Sequence, residues 1–212
     1  MKTGTKSLLF GVHQVFWHPF TVWLAWIWLF HQLPNWRETI CIVMHDWGYL
    51  GKRHMDDECG ERHPELGAAL ADCLFDDKYY ANLCLCHSRH YSRQNGMEPS
   101  MLCWADKASI KFDPWWLYLP RAWLTGELAE YRRTAIVTGF CPPEVTNRHW
   151  YNWIRERQLK IATSRRGDVV DYNPSEEFLR NVKSEVASNG AVKSERGRQE
   201  RAKEQNLKEV EK

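Results

Sequence analysis

A surplus of charge of either sign is the first thing this chain lacks. Its 29 lysines and arginines face 27 aspartates and glutamates, a net +2, so there is no basic excess or stripe to support a nucleic-acid-binding surface. Long apolar runs are missing too. The most apolar stretch, VFWHPFTVWLAWIWLFHQL, is bounded by His18, Pro19 and His31, and only Phe20 to Phe30 is uninterrupted. That is short of the ~20 residues a bilayer helix needs. The stretch also lacks the flanks and small-residue cleavage site of a secretory signal, so it reads as a core helix and not a membrane span. Strand-like alternation is nearly absent, which argues against a β fold. The 7 cysteines are odd in number and irregular in spacing. They fit no disulfide framework and point to reduced thiols in a cytoplasmic protein. Cys84 and Cys86 with His87 suggest zinc, but no second cysteine pair of finger-like spacing accompanies them.

What is present is a helical grammar rich in tryptophan, with 12 in 212 residues, a length that suits one domain with an appended tail. The stop and start signals predict helices over Ser7–Trp17, Pro19–Gln32 and Trp36–Met44, the second stopped by Pro34. GKRHMDDECGER reads as a loop. Pro64 suits the first turn of a helix over PELGAALADCLF, and Asp77 the cap of one running through KYYANLCLCHSRHYS. Pro99-Ser100 opens MLCWADKASIKF, DPWWLYLP reads as a connector, and further helices span Arg121–Arg133 and Thr146–Thr163. The expectation is an all-α domain over residues 1–163. From about Ser164 aromatics nearly vanish and mixed charges dominate. PSEEFLRNVKSEV suits one amphipathic helix, and the rest of 164–212 reads as a solvated tail.

One segment poses the functional question. ICIVMHDWGYLGKR enters what should be a core and then delivers His45 and Asp46, although burying a carboxylate without compensation costs several kcal/mol or more. A lone His-Asp dipeptide says little in a chain with 9 histidines. Its company says more. His18 opens one apolar helix, His63 precedes another, His87 lies near the end of a third, and Asp106 falls inside LCWADKASI.

The ordered set His18, His45-Asp46, His63, His87 and Asp106, on an all-helical background, resembles the HD-domain superfamily of metal-dependent phosphohydrolases. HPFTVWLA is similar to the family's His-x3-Val-x2-Ala helix, IVMHDWGYLGK to its His-Asp-x-Gly segment, and RHPELGA to its His-Pro-x-x-Gly-Ala helix start. LCLCHSRH is similar to the helix carrying a fourth His, and WADKA to the closing Asp. The likeness covers about residues 8 to 112. It implies that His18, His45, Asp46 and Asp106 hold one metal and that His63 and His87 complete a second site, with Asp46 bridging. The two ions are divalent transition metals, and imidazole with carboxylate accommodates Mn, Fe, Co, Ni or Zn. Such a pair lowers the pKa of a shared water and clamps a phosphoryl group, so the implied substrate is a phosphate ester, a nucleotide or a small phosphorylated metabolite.

Around that set, Lys107 is a candidate to stabilise phosphate charge, and His90, Arg89 and Lys52 are candidate substrate contacts. His13 is set aside because it lies about 140° from His18 on a common helix. His54, Asp56, Asp57 and Glu58 are candidates for a lid, and Trp115, Trp116 and Tyr118 for base stacking, with a solvated loop and core packing as the plainer readings. The acidic context of the single-metal nucleotidases and the Gly-Tyr-Pro element of the cyclic-dinucleotide branch are both missing, so neither branch's substrate is implied. Two other functions stay open: an HD-type diiron oxygenase built on much the same ligands, and a non-catalytic nucleotide-binding domain with a structural metal. Homo-oligomerisation is left open as well.

Overall fold

Every regular element among the described residues is helical, as the missing alternation suggests. The computed structural model describes residues 2–55, 57–137 and 144–165. Helix α1 spans Thr3–Phe10, α2 Trp17–Phe30, α3 Trp36–Met44, α4 Glu58–Glu61, α5 Pro64–Phe75 and α6 Lys78–Leu85. Then follow α7 (Arg89–Gln94), α8 (Met101–Ala108), α9 (Trp115–Thr125), α10 (Glu127–Val137) and α11 (Asn147–Ser164). None of these helices is long and apolar enough to cross a membrane.

The centre of the bundle is α2 lying against α8. On α2, His18, Thr21, Val22 and Ala25 recur at helical spacing and are buried with Trp26, so one face runs continuously from apolar core to titratable site. Trp26, Ile42, Leu102 and Ala71 pack in a core shared by α2, α3, α5 and α8, each large side chain contributing roughly 1.5–3 kcal/mol by leaving water. A second core joins α9, α10 and α11 through Tyr118, Leu128, Trp150 and Trp153. The ends of α3 and α6 to α8 are fixed by polar caps. Asn35 and Glu38 form a reciprocal capping box at α3, and Asp77, Ser88 and Ser100 cap α6, α7 and α8.

Five local expectations are corrected. The first helix is Thr3–Phe10 and not Ser7–Trp17, because residues after Gly11 leave the helical path. Val12 N donates to the buried Glu127 carboxylate, and Gln14 Oε1 accepts from Trp17 N to start α2. The helix expected through KYYANLCLCHSRHYS breaks at Cys86–Ser88, where Ser88 caps a new helix. The loop GKRHMDDECGER contains the single turn α4, capped by Asp57. DPWWLYLP is no connector but the front of α9. Pro114 caps it and Pro120 lies inside it, where it forfeits one backbone hydrogen bond while Tyr118, Ala122 and Thr125 are buried around it. The helix expected from Arg121 is then interrupted at Gly126, whose φ of 89° suits glycine alone at little cost. The expected helix in PSEEFLRNVKSEV and the charged tail lie outside the described residues, as does Asp56.

Candidate metal centre

The site is assembled from helix ends. His18 sits in the first turn of α2, His45 caps the C-terminus of α3 and Asp46 follows it, and His63 stands immediately before Pro64 of α5. His87 occupies the break between α6 and α7, and Asp106 lies on α8. Helix ends are where backbone carbonyls lack intrahelical partners, and three of the histidines use them. His45 Nδ1 lies 2.7 Å from Ile42 O, His63 Nδ1 2.9 Å from Gly60 O, and His87 Nδ1 2.5 Å from Cys84 O. A carbonyl only accepts, so in each ring Nδ1 carries the proton and Nε2 presents a lone pair. This is the tautomer and orientation that metal-ligating histidines are given by their outer hydrogen bonds.

These lone pairs converge on Asp46. Its Oδ2 lies 3.2 Å from both His18 Nε2 and His45 Nε2, whereas its Oδ1 faces His87 Nε2 at 3.4 Å and His63 Nε2 at 3.7 Å. Asp106 Oδ1 is 3.2 Å from His18 Nε2. The carboxylate of Asp46 therefore divides the cluster into two halves, His18, His45 and Asp106 on one side and His63 with His87 on the other.

All of this is buried: His45 is fully inaccessible and Asp46 only 5% exposed. Yet His18 Nε2, His45 Nε2 and Asp46 Oδ2 have no hydrogen-bond partner. Each such orphan costs about 1–3 kcal/mol, and more where the group is charged. A bare imidazole lone pair 3.2 Å from a carboxylate oxygen is repulsive unless a cation or a proton stands between them. Ligands about 2.1 Å from one ion are about 3.0–3.4 Å apart in octahedral or tetrahedral geometry, a range that takes in the separations above except that of His63 Nε2 from Asp46 Oδ1. The buried His/Asp groups are thus compatible with a metal site. His18, His45 and Asp106 form one set of donors and His45, Asp46 and His87 another.

The electrostatics favour deprotonated ligands. Burial lowers the pKa of His45, and it lowers that of His63 well below the ordinary value, with His87 adding to the effect. Burial pushes the Asp46 carboxyl up, but the surrounding imidazoles, His45 foremost, hold it well below the usual carboxylate range. Asp106 is likewise held low against burial, chiefly by Lys107. His18 is the exception. Burial works to lower it, and the carboxylates of Asp106 and Asp46 outweigh burial and raise it.

A cavity of about 550 Å³ opens onto this cluster. Arg89, His90 and Lys107 line it, the last with Nζ 3.1 Å from Asp106 Oδ2. Lys52 does not line it; its ammonium instead donates to Cys59 Sγ at 3.4 Å. Tyr118 lines the cavity, whereas Trp115 and Trp116 lie on the exposed surface, Trp115 under the guanidinium of Arg148. His54, Asp57 and Glu58 are also outside the lining. The zinc alternative finds no geometry, since Cys84 Sγ turns to Cys41 O and Cys86 Sγ to Met97.

Sequence reasoning missed part of the wall. Tyr49 stacks on His63 with centroids 4.0 Å apart, and Arg93, Arg157 and Gln158 line the cavity. His13 stands beside the His/Asp cluster and not within it. Its Nδ1 faces Ser7 Oγ and Glu127 Oε1, and its ring lies 5.3 Å from that of His18. Nothing in the local sequence marks Arg157, which reaches the site only because α11 packs along α8. No protein-family model, curated protein or solved structure matches this chain.

Proposed function

We propose that this chain is a metal-dependent phosphohydrolase of the HD type, acting on a phosphate ester such as a nucleotide or a small phosphorylated metabolite. The observation that carries the reading is the position of Asp46, whose two carboxylate oxygens face different histidine groups, beside a cavity with Lys107 and Arg89 in its wall. The donor set suits divalent transition metals: His18, His45, Asp46 and Asp106 would hold one ion, and His63 and His87 would help to hold a second with Asp46 between them. Bound there, such ions act as Lewis acids toward a phosphoryl oxygen and make a nucleophile from water at neutral pH.

The chain's own residues supply the rest. The backbone carbonyls of Ile42, Gly60 and Cys84 hold three imidazoles in the ligating tautomer, so that no ring has to reorient on loading. Lys107 is anchored on Asp106, with its ammonium on the cavity wall where charge develops on a transferring phosphoryl group. Its pKa is raised, first by Asp106, so it stays cationic there. Arg89 adds a planar donor suited to phosphate oxygens. These two cations favour phosphate chemistry over oxygen activation, for which a basic wall has no evident use.

The test is phosphate release from a panel of nucleotides and generic phosphate esters with Mn, Co, Fe, Ni or Zn, alongside elemental analysis of the purified protein. Asp46→Asn should reduce turnover at least about a thousandfold while circular dichroism is unchanged, since both ligand groups lose their shared carboxylate. A metal-loaded protein that releases no phosphate from any ester, or an active Asp46→Asn variant, overturns the reading. Iron content with oxygen uptake on an organic substrate replaces it with an oxygenase.

A further inference from the structure

The wall of the cavity away from the histidines carries four basic side chains. Arg89 and Arg93 reach it from α7, Lys107 from α8 and Arg157 from α11. Four carboxylates line the same cavity, Asp46, Glu61, Asp106 and Asp113, but most are committed elsewhere. Asp113 is held by Arg121 Nη2, which lies 2.6 Å from its Oδ1, while Asp46 and Asp106 belong to the ligand cluster. Glu61 is the one remaining acid among the described lining residues. A phosphate monoester brings about −1.5 to −2 at neutral pH, and a second phosphate group would place further negative charge against this wall.

The placement of these cations matters as much as their number. Lys107, on Asp106, lies next to the ligand cluster. Arg89 and Arg93 on α7 and Arg157 on α11 line the same cavity as Lys107, so basic groups from three helices share one wall. Arg89 and Arg157 carry like charge in half-buried positions on the wall of one cavity. Arg89 Nε is buried with no hydrogen-bond partner, and so is Gln158 Oε1, whose residue lines the same cavity. Rotation of the Gln158 amide exchanges that oxygen for two N–H donors. A like-charged pair with an unspent donor, facing a cavity, is the arrangement an anion completes.

We infer that this basic wall, Arg89 and Arg157 above all, binds a second phosphate of the substrate, so that the preferred ligand is an ester carrying two or more phosphate groups. The inference rests on the phosphohydrolase reading and names the substrate class of that site. Lys107 attends the phosphate next to the ligand cluster, and the two arginines hold the one beyond it.

Binding of a nucleoside 5′-monophosphate and the 5′-diphosphate of the same nucleoside is compared by calorimetry, in chelator so that the readout is independent of metal. The wild-type chain should bind the diphosphate at least about tenfold more tightly. In Arg157→Gln and in Arg89→Gln that ratio should fall toward one, with Arg157→Lys intermediate; two separate positions keep the test usable if one variant fails to fold. Equal wild-type affinities, or a ratio unchanged in both glutamine variants, overturn the inference. Hydrolysis of monoesters with a ratio of one sinks only the inference. A high ratio with no hydrolysis under any metal sinks only the phosphohydrolase reading.

Discussion

The Nε2 atoms of His63 and His87 lie 3.0 Å apart, and each ring has already given its Nδ1 proton to a backbone carbonyl. Two lone pairs held face to face at that distance in a buried site are repulsive until a cation joins them. The chain maintains this arrangement through the packing of α5, α6 and the 3-10 turn at Trp47–Tyr49, and that packing energy is what metal binding should return.

Divalent metal should therefore raise thermal stability. At a free concentration a hundred times Kd the linkage is about 2.7 kcal/mol, which for a chain of this size corresponds to a midpoint shift of about 5–10 °C. Mn, Co or Zn titrated into chelator-treated protein should produce the shift, and His63→Ala or His87→Ala should reduce it. Scanning calorimetry that shows no shift with any of these ions removes the basis for a metal centre here.

Glu127 should be a stability determinant with a defined pH signature. It is completely buried and accepts from Ser7 Oγ at 2.5 Å, Thr125 Oγ1 at 2.5 Å and Val12 N at 3.1 Å, with His13 Nδ1 at 3.3 Å. Burial pushes its carboxyl up, but these partners, His13 first, outweigh burial and hold it below its ordinary value of 4.5. A depressed carboxyl contributes stability that is complete above the unfolded pKa and is lost as pH falls through the folded one. Glu127→Gln should thus cost about 2–4 kcal/mol near neutrality. The gap between wild type and variant should narrow below pH 4.5, measured by urea denaturation across pH 3.5 to 7.

The capping box offers a contrasting case. Asn35 Oδ1 accepts from Arg37 N and Glu38 N, both at 2.9 Å, and Glu38 Oε2 accepts from Asn35 N at 2.7 Å. Asn35→Ala should cost about 1 kcal/mol and leave metal affinity unchanged, because the box fixes the far end of α3 from His45. A variant equally destabilised but weakened in metal binding would mean that fraying at residue 35 travels the length of the helix.

The helices and the buried His/Asp cluster were legible for different reasons. Pro34, Asp77 and Ser100 punctuate the chain locally, so α3, α6 and α8 begin close to where those residues say. Local rules failed where tertiary contacts decide. Pro114 and Pro120 argue for a connector, yet α9 starts directly after Pro114 and runs through Pro120, with Tyr118 and Ala122 buried along it. Residues 12 to 16 have helical composition but are drawn off by Glu127, more than a hundred positions away. At the site, ligand types in a fixed order could be read without coordinates. The basic wall could not, because Arg157 joins it only through the packing of α11 on α8, and no periodicity records which side of that helix meets a cavity.

Gly48 connects the fold directly to the site. A Cβ built there would fall 1.9 Å from His63 O, 2.7 Å from His63 C and 2.8 Å from its Cα. All three are backbone or backbone-bound atoms, so no side chain can swing away to make room. The turn after Asp46 and the start of α5 are pressed together at this glycine, which sets how closely His63 approaches the Asp46 carboxylate. Gly48→Ala should therefore separate the two segments, costing about 1–3 kcal/mol as other overpacked sites do. Metal affinity should fall by at least about tenfold, as when ligand support is lost, although no ligand has been altered. Calorimetric titration with Mn or Co on the folded variant reads this directly. An affinity equal to that of wild type would mean that His63 tolerates displacement, and that the two halves of the cluster are less rigidly coupled than their shared carboxylate implies.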